Sequence, residues 1–240
     1  MIKKISKYAV AALLVFPYYA LSAAPLAPQA GTDFVALQSP PAPVKNGRTE
    51  VIEFFSYFCK HCREFEAPLH NWAVKHAGKI EVVRVPANFG KHPELHQRLY
   101  YSLAAMGKAD ALQSKIFNRF QRGEGLDTIE QIENFVVAEG IDKRAFAAVF
   151  DSQAVKAKVA RANELQAAYQ VKGVPVLVVG GRYMTSPAFF QKKRGIFEQL
   201  VDAVSPGGAR AADEVAAMQR TLDTAEVLAD MARKTTLLRN

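Results

Sequence analysis

The sequence predicts an α/β fold: a small mixed sheet interrupted by a long block of helices. Three observations predict it. Apolar runs of strand length occur before about residue 86 and again at Val176–Val179. Between them, from about Pro93 to Tyr169, the apolar residues recur at helical spacing. Half of the 240 residues are hydrophobic and 22% are charged, the balance of a globular chain and not of a disordered one.

The elements follow in order. Met1 to Lys7 carries three lysines and no acid, Ala9 to Phe16 is apolar, and small residues Ser22, Ala23 and Ala24 follow. This is the order of a cleavable signal peptide over residues 1–23, and the greasy run is too short to span a membrane comfortably. Removing Lys3, Lys4 and Lys7 lowers the net charge from +8 to +5. No basic stripe is interleaved with aromatics, so a nucleic-acid partner is not expected. A Pro-, Ala- and Gly-rich arm follows to residue 48, with a short strand near Asp33–Leu37. Val51 to Phe58 is apolar on both faces and reads as a central strand. The next helix carries Phe65, Leu69 and Trp72 on one face, with Pro68 expected to kink it. Ile80 to Val85 is the next strand.

Breaks at Gly107, near Gly123 and Gly125, and at Gly140 lead to an expectation of four helices in the block, the last over about Ser152–Tyr169. Asp127 and Glu130 have the form of a capping box, and Asp142 is placed to cap the following helix. Val176–Val179, Gly180-Gly181 and Arg182–Met184 read as a hairpin, because paired glycines favour tight strand-joining turns. Phe197–Val204 and Ala209–Lys234 are the remaining helix candidates.

The chemistry centres on Cys59-Lys60-His61-Cys62, which contains both cysteines of the chain. The pair follows a buried strand and opens a helix. Unpaired N–H groups and the positive dipole end there stabilise a thiolate. Cys59, the outer residue, is the expected nucleophile and Cys62, one turn inward, its resolving partner. His61 and Lys60 place positive charge beside the thiolate. Glu53 is an acid inside an apolar strand, and Arg84 is a cation in the neighbouring one. Adjacent strands would bring the two together beneath the cysteines, where they could tune thiol ionisation and move protons; a purely structural pair is the alternative. His92 and His96, with Glu94 between them, have ligand-like i, i+4 spacing, but no further ligand cluster accompanies them and no metal site is expected.

Phe54 to Cys62 and the distant Gly173-Val174-Pro175 together resemble the DsbA family of periplasmic thiol oxidases, over about Phe34 to Tyr183. The resemblance implies a thioredoxin fold with a mixed central sheet and an inserted all-helical domain. Residues 24–89 and 162–240 would form the two parts of the thioredoxin-like domain, and residues 90–161 the insertion. It implies that Val174-Pro175 is a cis peptide facing the cysteines and that the Val174 backbone pairs with an extended substrate. It makes His61 the residue that renders the disulfide oxidising, and Glu53 the family's buried acid. The partners it implies are unfolded exported proteins with free thiols and a DsbB-like inner-membrane oxidoreductase. Quinone would be the electron sink of that partner, so no cofactor is expected on this chain. Two departures stand out. Lys60 occupies a position that is proline in the best-known members, and Arg84 one that is lysine. The tail is also long: Thr221–Lys234 resembles the family's last helix, which leaves about Ser186–Arg220 as an extra segment, read as a solvated appendage.

The expected function is therefore oxidation of exported proteins in the periplasm. The rivals are a disulfide reductase or isomerase, a chaperone or binding protein with a structural disulfide, and a metal carrier using Cys59 and Cys62.

Overall fold

A computed structural model describes residues 27–38, 47–191 and 208–237. The expected signal peptide and the candidate helix Phe197–Val204 lie outside these residues. The described strands are β1 (Val35–Ala36), β2 (Thr49–Phe55), β3 (Ile80–Pro86), β4 (Val176–Val179) and β5 (Tyr183–Thr185). They form one sheet in the order β1-β5-β4-β2-β3. β2 and β3 are parallel, and every other pairing is antiparallel. Parallel neighbours need a crossover. It is supplied by α1 (Lys60–Lys75), which stays one helix across Pro68.

Alternation along the strands builds two cores. From β2 and β4, Ile52, Phe54, Val176 and Val178 face one cluster, while Val51, Leu177 and Val179 face the other. The first is shared with α2 (Pro93–Ala105), α3 (Ala109–Gln121), α4 (Ile129–Ala138), α5 (Lys143–Phe150) and α6 (Gln153–Ala168). The second holds Phe65, Leu69 and Trp72 of α1 against Met218, Leu222 and Leu228 of a long last helix, α8 (Gly208–Leu237). The short α7 (Pro187–Phe190) precedes it. The sheet is thus covered on both faces, which is why the central strand lacks a polar side.

The structure differs from the expectations at several elements. β2 stops at Phe55 instead of running to Phe58, because the Cys59 N–H bonds the Ser56 carbonyl at 2.9 Å and turns the chain into α1. The helical block has five helices, not four: α5 is a separate helix, and the last one begins after Ser152 as expected. The capping box sits one residue later than expected, with Thr128 as cap and Gln131 as its partner. Asp142 caps α5 as expected, accepting from Ala145 N–H at 2.8 Å. The division drawn at 161/162 falls inside α6. The extra segment is no solvated appendage at its described ends: Pro187, Ala217 and Met218 are buried. The hairpin forms as expected, Val178 opposite Met184 and Val179 opposite Tyr183.

Candidate active site

Cys59 is the N-cap of α1, with extended backbone (φ −84°, ψ 111°). Its sulfur accepts the Cys62 N–H at 3.1 Å, the same bond a serine or aspartate cap would make. In this unbridged state the Cys59 thiol also donates to the Val174 carbonyl at 3.3 Å. That carbonyl is presented by a cis Val174-Pro175 peptide. The loop is pinned from behind by the Ser186 hydroxyl, which donates to the Pro175 carbonyl at 2.7 Å.

The two thiols are unequal. Cys59 is partly exposed and Cys62 fully buried. The Cys62 thiol, together with the Cys62 and His61 N–H groups, holds Cys59 below the ordinary thiol range against its own burial and the Glu64 charge. Burial pushes Cys62 well above that range, and the neighbouring Cys59 pushes it further. The pair is therefore one thiol that ionises more readily than usual next to one reluctant thiol. The side chains of Lys60 and His61 turn to a common partner: Glu64 lies 3.0 Å from Lys60 Nζ and 3.4 Å from His61 Nδ1.

Glu53 and Arg84 are register neighbours across β2 and β3. Arg84 Nε donates to Glu53 at 3.2 Å. Its other two nitrogens reach Glu66 and Asp110, each at 2.9 Å. One guanidinium thus serves three carboxylates. Burial raises Glu53 to about 8, outweighing the opposing pull of Arg84. Burial also raises Glu66, again against Arg84. The sequence reading missed Glu66 and Asp110. Glu66 had a signal, since it stands one turn beyond Cys62 on the same helix. Asp110 had none, because α3 brings it in through tertiary packing.

His92 and His96 do not act as a pair. His92 caps α2 in the left-handed region (φ 52°), while His96 is buried and lies 3.1 Å from the Leu126 carbonyl. Neither belongs to the ligand cluster found among the described residues. An apolar groove of about 750 Å³ opens beside the cis peptide, lined by Val35, Leu37, Tyr169, Val174, Met184 and Phe189 among others. Sequence reasoning missed it, because its walls come from three separate stretches of chain.

Known proteins resemble this chain in sequence and in fold. The family model described as DSBA-like thioredoxin domain matches residues 50–195. The chain is 36% identical over 180 residues to a Burkholderia cepacia protein named thiol:disulfide interchange protein DsbA, covering 74% of this chain and 85% of the relative. A Pseudomonas syringae pv. tomato protein of the same name is 34% identical over 197 residues, covering 80% and 92%. The crystal structure of Pseudomonas aeruginosa DsbA superposes with a TM-score of 0.63 at 33% identity, covering 73% of this chain and 91% of that one. With this family model spanning residues 50–195 and relatives matched over most of both chains, the chain belongs to the DSBA-like thioredoxin domain family.

Proposed function

We propose that this thiol:disulfide oxidoreductase is a disulfide donor that oxidises exported proteins in the periplasm after loss of its signal peptide. The observation that supports the direction is the inequality of the two thiols. A lowered Cys59 pKa shifts the balance toward the dithiol form, and a disulfide whose reduced form is stabilised is the more oxidising one.

In the proposed cycle a substrate thiolate attacks Cys59 Sγ of the Cys59–Cys62 disulfide. A substrate–Cys59 bond forms, the Cys59–Cys62 bond breaks, and Cys62 leaves with the electron pair and takes a proton. The second substrate thiol, deprotonated, then attacks the substrate sulfur, and Cys59 departs as the thiolate. The substrate loses two electrons and the enzyme gains them. Leaving is fast from the sulfur with the low pKa. Glu53, protonated at neutral pH, is the proposed proton reservoir for Cys62, and Arg84 stays charged throughout because arginine does not deprotonate in proteins. The Val174 backbone would pair with an extended substrate, and the apolar groove beside it would take the flanking side chains. A DsbB-like membrane oxidoreductase passing electrons to quinone would restore the disulfide.

Equilibrating the protein with glutathione buffers tests the direction. The expected result is a Cys59–Cys62 couple well above the glutathione couple. A strongly reducing couple would overturn the donor assignment in favour of a reductase. A Cys59→Ser variant that kept full activity in cells would leave only a binding protein.

A further inference from the structure

The start of α8 lies against the redox motif, beyond the residues that the family model matches. It brings Glu214 to His61 and Glu64, and one ligand atom of each falls within 4.8 Å of the others. Among the described residues this is the one group of three such side chains. The donors are held in a way that leaves ligand atoms free. Lys60 pairs with Oε1 of Glu64 at 3.0 Å, while Oε2 is buried with no hydrogen-bond donor. Arg210 takes Oε1 of Glu214 at 3.1 Å, and the Glu214 side chain is only 16% exposed.

We propose that His61, Glu64 and Glu214 form a site for a first-row divalent cation of the zinc class. One imidazole nitrogen and two carboxylate oxygens, with a fourth position left open, make a donor set such ions take. Two ligands each about 2.0–2.1 Å from a tetrahedral zinc stand about 3.3–3.4 Å apart. His61 Nδ1 and Glu64 Oε2 are already 3.4 Å apart. The Glu214 oxygen, within 4.8 Å of the other two ligand atoms, would turn toward the ion to complete the set. The bound ion would tie the last helix to the Cys-x-x-Cys motif and take the imidazole out of thiol chemistry. Lys60 and Arg210 oppose the ion's charge, so binding depends on all three ligands together.

The inference does not rest on the direction of electron flow. It is tested by titrating zinc, and cobalt(II) as a spectroscopic stand-in, into the protein in its disulfide form, where neither cysteine offers a thiolate. The expected result is one saturable site without a thiolate-to-cobalt charge-transfer band. Glu214→Gln and Glu64→Gln, each checked for an unchanged thermal midpoint, should bind at least about tenfold more weakly. Absence of saturable binding would overturn the site. So would undiminished affinity in either variant, or binding seen only in the dithiol form with a thiolate band.

Discussion

Cys59 and Cys62 are one helical turn apart, yet their environments drive their acidities in opposite directions. In the dithiol form, iodoacetamide should therefore alkylate Cys59 at pH values below the ordinary thiol range near 8.5, and leave Cys62 untouched until the protein unfolds; mass spectrometry over a pH series measures both. Glu53 gives a second prediction. Unfolded, its carboxyl ionises near 4.5; folded, near 8. Between these values the unfolded chain has released a proton that the native state keeps, so this residue's contribution falls as pH rises and levels off above about 8. Urea unfolding of the disulfide form should show the parent losing stability relative to Glu53→Gln across that window, and parallel curves would refute the assignment. Both cysteines, His61 and the Glu53–Arg84 pairing were legible because each is a chemical oddity in a readable pattern: a spaced pair, or a charge inside an apolar run. Glu66 and Asp110 look like ordinary surface acids in the sequence. Only the fold makes them share Arg84.

Among the elements, the hairpin was legible from Gly180-Gly181, and the reason extends beyond its turn. Gly180 has φ +57°, and a Cβ there would stand 2.7 Å from that of Ala232 in α8. Gly180→Ala combines left-handed strain with overpacking, so it should cost about 2 kcal/mol or more, measured as a drop in the urea midpoint. Thr128→Ala removes the cap of α4 and should cost about 1 kcal/mol by the same measurement. The helix not counted separately is α5, although the boundary after it is expected at about Ser152. α5 is only two turns long and ends at Asp151-Ser152, where the Ser152 hydroxyl caps α6 at 3.2 Å.

On the scale of the whole molecule, the long tail is a wall of the second core. Leu222 and Leu228 are buried against β4 and α1 residues, and the Thr49 hydroxyl donates to the Ala229 carbonyl at 3.2 Å. Leu222→Ala should cost about 2–5 kcal/mol, as a large-to-small change in a core does; a loss under about 1 kcal/mol in chemical denaturation would show that α8 is dispensable. The amphipathic spacing of this helix was legible in the sequence. Its destination was not, because periodicity reports that a face is apolar and not what it will meet. The same contact bears on the order of events in synthesis. Thr49 and Ala229 are separated by 180 residues. A nascent chain that has emerged through β5 carries every described strand but still lacks the lid of one core, and the apolar face of its sheet stays in contact with solvent or a chaperone. Closure waits for the final turns. A polypeptide built this way completes its second core only when the far end of the chain arrives, and trapped intermediates ending before residue 208 should remain sensitive to protease while the finished chain does not.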